Sequence, residues 1–202
     1  MELTAWLSLV TICIFGAMTP GPSLVVVLKN TIGGGRSNGL VTALAQATGV
    51  AIYATLTVLG LAVLIQESPM VFNAIRYVSI VFILYLAYQA FTAKSGISKI
   101  DGEAGNVTLA QSAREGLMIA FVNPKLAIFF LALFSQFIQT DASWTQNAVM
   151  IATVGLVDFI WYTTIVLTLS QKGFLTALRN NIHIVEKITG VALLTVAARV
   201  AL

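Results

Sequence analysis

Apolar residues along this chain gather into six long segments, separated by shorter stretches in which most charged residues lie. The segments cover about Leu3–Leu28, Leu40–Ile65, Val71–Phe91, Leu117–Ile138, Trp144–Leu169 and Ile182–Leu202. A helix needs about 20 apolar residues to cross roughly 30 Å of hydrocarbon, and each segment reaches about that length. The pattern therefore predicts an all-α membrane protein with six transmembrane helices.

The composition excludes an ordinary soluble domain. Of the 202 residues, 58% are hydrophobic and only 9% are charged, and the mean hydropathy is +0.92. Soluble domains usually carry about 25% charged residues. The first segment lacks the positively charged start of a secretory signal peptide and is longer than the apolar core of such a peptide. We therefore expect a helix that is retained.

Proline interrupts the first and the fourth segments near their middles. The interruptions are Thr19-Pro20-Gly21-Pro22 and Asn123-Pro124-Lys125. In lipid an unpaired backbone group costs several kcal/mol, so a break at membrane depth is tolerated mainly where it is buried in protein or lines a cavity. Corresponding breaks in two halves of a membrane protein point to a transporter's binding site.

The breaks divide the chain into two similar halves when Pro20 is aligned with Pro124. Each half has three segments, an odd number, so the second half enters the membrane upside down and the pair forms an inverted-topology repeat. We expect repeat 1 over about 1–92, a cytoplasmic linker over about 93–113 and repeat 2 over about 114–202. Ser112 and Glu115 fit a capping box that opens the fourth helix.

Loop charges predict the orientation in the membrane. The basic loop residues lie after the first, third and fifth segments: Lys29, Arg36, Lys94, Lys99, Arg114, Lys172 and Arg179. By the positive-inside rule these loops face the cytoplasm, so both termini lie outside it and the protein is a multi-pass protein of the inner (cytoplasmic) membrane. The same rule explains the net charge of +3, so no nucleic-acid partner is expected.

Each break pairs an N-cap side chain, Thr19 or Asn123, with a proline at the first helical position. In an inverted repeat the restarted helices point their N-termini toward each other near the midplane, and their unpaired N–H groups form a natural anion site. The simpler interpretation is that these prolines are kinks that help packing. The substrate site predicted from the pairing comprises Thr19, Pro20, Gly21, Pro22, Ser23, Asn123, Pro124 and Lys125.

Lys125 and Asp158 are isolated charges in the middle of apolar segments. Such a residue costs at least about 2.5–3.5 kcal/mol at a helix centre, so it normally faces the bundle interior or a water-filled cavity. Lys125 is suited to hold a substrate carboxylate, and Asp158 to hold an ammonium group or to carry a coupling proton. A purely structural Lys–Asp pair is the alternative.

Several other classes of function find little support in the residues. Cys13 and His183 are the only cysteine and histidine, so we expect no disulfide, no metal site and no cofactor. The sequence shows no Ser–His or Cys–His pairing of the kind that nucleophilic enzymes use, so we do not expect an enzyme. Ala45 and Gly49 form a small-xxx-small pair that favours close packing within one chain, although a homodimer stays open. Gln46, Thr48, Tyr53, Thr55 and Thr57 either line a cavity or bond a neighbouring helix.

The chain combines four features, which are the Pro-Gly-Pro break, the glycine-rich basic loop at 33–36, the Asn-Pro-Lys break and Gln136-Phe137. In these four features it resembles the LysE/RhtB superfamily of amino-acid exporters. The likeness runs from Met18 to Gly190, and residues 27–30 and 73–77 are most similar to the leucine-exporter branch. The family pattern differs at Ser23, where asparagine is usual, and at Ser135, where proline is usual.

The resemblance implies efflux of small amino acids or their derivatives from the cytoplasm, driven by the proton gradient. The positions that match the family's recurrent residues are Pro20, Gly21, Pro22, Asn123, Pro124, Lys125 and Asp158. We therefore expect an antiporter that works by alternating access, with an amino-acid-like substrate, protons and the lipid bilayer as partners. A passive channel for small polar solutes, with the same broken helices lining a pore, is the alternative.

Overall fold

All regular structure in the described part of the chain is α-helical, as the apolar pattern predicts. The computed structural model describes residues 2–92, 107–138 and 143–169, with 180–181, 183–191 and 194–195. The helices are α1 (Leu3–Met18), α2 (Pro22–Glu67), α3 (Pro69–Thr92), α4 (Leu109–Val122), α5 (Pro124–Phe137) and α6 (Trp144–Leu169). Residues 183–190 are helical as well.

Helix α2 is folded back on itself at Gly35. Its 46 residues would extend about 69 Å if straight, far more than a bilayer needs. Gly35 has φ 82° and ψ −175°, a conformation that favours glycine. A Cβ added to Gly39 would touch the hydroxyl of Thr31, although a straight helix would separate these residues by about 12 Å. The first arm (22–34) and the second arm (36–67) therefore pack side by side.

The lengths of the helices suit a membrane. Helices α2, α3 and α6 are long and apolar enough to cross it, and α4 with α5 forms a further candidate span bent by 57°. The predicted fifth segment coincides with α6, and the third lies within α3. Large apolar side chains such as Leu3, Met70 and Val122 are exposed, a surface suited to hydrocarbon rather than water. Much of the predicted sixth segment lies outside the described residues.

The first break differs in detail from its prediction. Thr19 ends α1, and its hydroxyl donates to the carbonyl of Phe15 at 2.8 Å. Helix α2 begins at Pro22 with Gly21 as its N-cap, so the predicted restart at Pro20 is wrong. A residue before proline is disfavoured in the α region, and both Thr19 and Gly21 precede a proline and are extended. The helix therefore restarts only at the second proline, and Pro22 is the counterpart of Pro124.

The second break matches its prediction, but the start of the fourth segment does not. Asn123 caps α5 and Pro124 is its first residue, as predicted. Helix α4 begins at Leu109, capped by the hydroxyl of Thr108, so the predicted capping box at Ser112 is wrong. An earlier cap extends the helix by one turn, into the C-terminal end of the predicted linker. Residues 93–106 of that linker lie outside the described residues.

Two apolar clusters form the interior. The larger contains residues from all six helices, among them Leu9, Val58, Phe130, Phe134 and Met150. The smaller joins both arms of α2 to α6 and contains Leu24, Val27, Leu28, Ala43, Tyr162, Ile165 and Val166. Val185 in the helical stretch 183–190 packs against the smaller cluster. These clusters hold the first break against the second.

Small residues bring the second arm of α2 close to α4. A Cβ added to Gly49 would lie 2.7 Å from Cβ of Ala120, and one added to Gly116 would meet the carbonyl oxygen of Thr42. The expectation that Gly49 marks close packing within one chain is confirmed. In lipid, such van der Waals contact between small residues is a main source of helix association.

Gly116→Ala tests this contact. The new methyl group meets the backbone of Thr42, which cannot move aside cheaply, and overpacking typically costs about 1–3 kcal/mol. We expect a lower thermal unfolding midpoint for the purified protein in detergent. Gly60→Ala is the matched control, because nothing lies within 4 Å of a Cβ at Gly60. Equal midpoints for the two variants would contradict the packing described.

Candidate functional site at the two helix breaks

Side chains of the second break bond directly to the first. The amide of Asn123 donates through Nδ2 to Oγ of Ser23 at 3.1 Å, and the ammonium group of Lys125 donates to the carbonyl oxygen of Thr19 at 2.8 Å. Ser23 and Asn123 are each 4% exposed. The structure therefore brings together four residues of the predicted site from sequence positions about 100 residues apart.

The starts of the two restarted helices differ in their free donors. At α5, Oδ1 of Asn123 accepts from the Lys125 N–H, and its carbonyl oxygen accepts from the N–H groups of Leu126 and Ala127. At α2, Gly21 has no side chain to act as a cap, and no described residue accepts from the N–H groups of Ser23 and Leu24. Free backbone donors are therefore offered by α2, while α5 contributes the charge of Lys125.

A cavity of about 50 Å³ lies between the breaks. Its wall consists of Cys13, Gly16, Ala17, Thr19, Gly21, Ser23, Val50, Asn123, Lys125, Leu126, Phe129, Phe130, Val154, Asp158 and Tyr162. A cavity needs at least about 10–15 Å³ to hold one water molecule, so this one has room for water. Pro20, Pro22 and Pro124 are not part of the wall, and Pro22 and Pro124 are exposed. These prolines shape the backbone of the breaks rather than the surface of the cavity.

Lys125 and Asp158 face the same cavity without forming an ion pair. Asp158 is 9% exposed and accepts a hydrogen bond from Nε2 of Gln46 at 3.4 Å, whereas Lys125 is bonded to the Thr19 carbonyl. Among the described residues, the ion pair within 4 Å is that of Lys29 with Glu115. A structural Lys–Asp pair is therefore not the arrangement found, and both charges remain available to a third group.

Tyr162 belongs to the site but was not predicted from the sequence. It lies one helical turn after Asp158 on α6, is 4% exposed and lines the cavity near Ser23 and Gln46. The signal in the sequence was its spacing, because residues four apart share one face of a helix. Pairing polar residues with Asp158 at that spacing would have identified it.

Of the polar residues in the predicted second segment, Gln46 is the one that bonds a site residue. Thr48, Thr55 and Thr57 donate to carbonyl groups four residues earlier in their own helix. Tyr53 instead packs on aromatic rings, with its centroid 5.9 Å from that of Phe130. The three threonines therefore meet neither expectation, because they are not part of the cavity wall and they bond their own helix rather than a neighbouring one.

One wall of the cavity is apolar and largely aromatic. The ring of Phe129 packs so closely over Gly16 that a Cβ there would overlap it, and the ring centroids of Phe130 and Phe134 lie 5.6 Å apart in a tilted arrangement. The same cavity also presents one ammonium group, that of Lys125, and one carboxyl group, that of Asp158. This arrangement suits a zwitterion with an apolar substituent. No group of three or more potential metal ligands occurs among the described residues.

Comparison with known families agrees with this arrangement. The family model described as LysE type translocator matches residues 14–202. The chain belongs to this family. The match includes both breaks, Lys125 and Asp158, and leaves out most of α1. A translocator family is a family of membrane transporters, which agrees with the apolar helices and with the interior cavity.

Relatives of the chain come from several bacteria. The uncharacterized membrane protein YrhP of Bacillus subtilis is 26% identical over 196 residues, which is 93% of either chain. A leucine efflux protein of Salmonella choleraesuis is 31% identical over 175 residues, 82% of this chain and 79% of its own. The leucine efflux protein of Salmonella typhimurium shows the same values. No solved structure shows a significant match.

A double-mutant cycle tests the bond between the breaks. Asn123→Ala removes both the cap of α5 and the donor to Ser23, whereas Ser23→Ala removes only the acceptor. We expect the free energies of unfolding in detergent to show a coupling of about 0.6 kcal/mol, an average value for interhelical hydrogen bonds in membrane proteins. Strictly additive losses would mean that the two side chains do not interact.

Proposed function

We propose that the protein exports small neutral amino acids or their close derivatives from the cytoplasm, exchanging them for protons by alternating access. The observation that carries this proposal is the separate presentation of Lys125 and Asp158 in one cavity between two helix breaks. The leucine efflux proteins among the relatives support an amino acid as the substrate.

In this proposal both charged groups of the amino acid find a partner. The substrate carboxylate binds the ammonium of Lys125 and the free N–H groups at Ser23 and Leu24, which combine a positive side chain with a helix N-terminus. The substrate ammonium binds Asp158. The side chain of the substrate lies against the aromatic wall around Phe129. Leucine exceeds a cavity of about 50 Å³, so binding requires the cavity to widen, for example by release of Lys125 from the Thr19 carbonyl.

Competition for Asp158 then provides the coupling. An ionised carboxylate binds the substrate ammonium, whereas a protonated one has lost that attraction. Proton and substrate therefore occupy the carboxyl group in turn. If the transporter switches between its inward-open and outward-open states only when either the proton or the substrate is bound, it exchanges substrate for protons.

The packing of the helices supports two inverted repeats. In the two repeats α1 corresponds to α4, and the second arm of α2 corresponds to α6. The indole of Trp6 on α1 donates to Thr153 on α6, and the corresponding pair, α4 and the second arm of α2, packs together around Gly116. Helix α3 packs on α5, and Val185 packs on the smaller cluster, to which the first arm of α2 contributes Leu24, Val27 and Leu28. Corresponding elements of the repeats, about 1–92 and 114–202 with a linker at 93–113, thus make corresponding contacts. With the loop charges, this supports six spans with both termini outside the cytoplasm.

Polar contacts near both ends of the bundle suit alternating access. On the proposed cytoplasmic side, Glu115 accepts hydrogen bonds from Lys29 at 3.2 Å and from Asn30 at 3.1 Å. On the proposed outer side, Trp6 and Thr153 are joined at 3.0 Å. Breaking one of these contacts while keeping the other opens the cavity to one side only. A passive channel instead requires both to open together.

The coupling is tested with Asp158→Asn in proteoliposomes containing labelled leucine. Asparagine keeps the shape of the side chain but cannot take up the proton, so we expect accumulation driven by a pH gradient to fall at least tenfold. Slow exchange of internal for external leucine should remain measurable. Gradient-driven accumulation at the wild-type rate would show that the proton travels by another route. Wild-type transport that ignores the gradient would favour the channel.

Lys125→Met tests the carboxylate partner, because it keeps the volume of the side chain and removes its charge. We expect leucine exchange to fall at least tenfold, while membrane insertion is unchanged or improved. Lys187→Met is the control, because it removes the same charge from an exposed position outside the cavity. Since no Lys125–Asp158 pair exists to be broken, the double neutral variant should not regain export. Recovery in that variant would restore the structural-pair interpretation.

A further inference from the structure

The amide of Gln46 is only half satisfied, although the side chain is completely buried. Its Nε2 donates to Oδ2 of Asp158 at 3.4 Å, whereas its Oε1 has no hydrogen-bond partner among the described residues. Gln46 is 0% exposed and lies behind the cavity wall rather than in it. A buried acceptor without a partner is costly, so an acceptor left open beside a carboxyl group calls for a functional explanation.

Two charge states of Asp158 would use the two ends of this amide differently. An ionised carboxylate only accepts hydrogen bonds, and Nε2 of Gln46 supplies one. A protonated carboxyl group also donates, and the open Oε1 is an acceptor on the same side chain. Rotation of the terminal amide of Gln46 exchanges its two ends. The described arrangement lets the carboxyl group accept from Gln46, and only the rotated arrangement lets a protonated Asp158 donate to it.

The other polar groups near Asp158 come from several helices. Cys13 of α1, Tyr162 of α6 and Lys125 of α5 line the same cavity, as does Ser23 of the first arm of α2. None of them has a hydrogen bond of 3.5 Å or less to the carboxyl group, and Lys125 is bonded to the Thr19 carbonyl. Among the described residues Gln46 is thus its hydrogen-bond partner.

The same amide is connected to the break through neighbouring groups. Tyr162 lies one helical turn after Asp158 on α6 and shares the cavity wall with Ser23, which accepts the hydrogen bond from Asn123 at 3.1 Å. Polar side chains therefore extend from Gln46 and Asp158 past Tyr162 and Ser23 to the second break.

We propose that Gln46 is a positioning residue that transmits the protonation state of Asp158 to the hydrogen bond between the two helix breaks. This inference rests on the proposed function, because it requires Asp158 to carry the coupling proton. Gln46 itself does not touch the substrate. It links proton uptake to the release or closure of the contact between Ser23 and Asn123.

The test compares leucine exchange with gradient-driven leucine accumulation in proteoliposomes of Gln46→Met. Methionine keeps the length of the side chain and removes both ends of the amide. We expect exchange within about threefold of wild type, at least a tenfold loss of gradient-driven accumulation, and an exchange rate with a flattened pH profile. Gln89→Met is the matched control, because it removes an exposed amide that bonds Tyr85 on α3. It should keep the wild-type profile.

Gln46→Glu provides a second variant if the methionine variant does not fold. It places two carboxyl groups next to each other, where they share a proton, so the pH profile of exchange should move at least one unit toward higher pH. A wild-type pH profile in either folded variant would overturn the role of Gln46 while leaving the exporter intact. If instead the wild-type protein moves no leucine, or ignores the pH gradient, the proposed function itself fails.

Discussion

Each helix break in this fold is completed by the other. In an apolar surrounding a backbone group without a partner is expensive, and a helix that stops and restarts creates several of them. Asn123 meets part of this demand by capping α5 with its side-chain oxygen, and its side-chain nitrogen bonds the hydroxyl of Ser23 at the other break. The ammonium group of Lys125 donates a hydrogen bond to the carbonyl oxygen of Thr19. The two halves of the chain are therefore held in one relative position, and the cavity lies where they meet.

The surrounding scaffold is stabilised in a different way. Between Gly49, Gly116 and their neighbours on α2 and α4, contact is so close that no side chain could be added without a shift. Such packing is either formed or lost, and it does not deform gradually. The contacts at the breaks are single hydrogen bonds between flexible side chains. The contacts at the breaks can therefore rearrange while the close packing of α2 on α4 stays intact.

Much of this architecture could be read from the sequence because it depends on local chemistry. The span of α6, the cap at Asn123, the start of α5 at Pro124 and the bend near Gly35 follow from apolar run length and from the preferences of proline, asparagine and glycine. The restart at Pro22 was missed because Gly21, which precedes a second proline, is held extended and delays the helix. Tyr162 was missed although its four-residue spacing from Asp158 places it on the same face of α6, whereas the role of Gln46 depends on how α2 is rotated about its axis, which one sequence does not specify.

Cys13 gives the chain a built-in reporter. It is the only cysteine in the sequence, its thiol is free and 4% exposed, and it lies in the cavity wall close to Asp158. A water-soluble thiol reagent can reach it only when the cavity opens, and there is no second thiol to confuse the signal. The rate of labelling in the unaltered protein therefore measures how often the interior is accessible, and labelling from one face of the membrane at a time measures on which side.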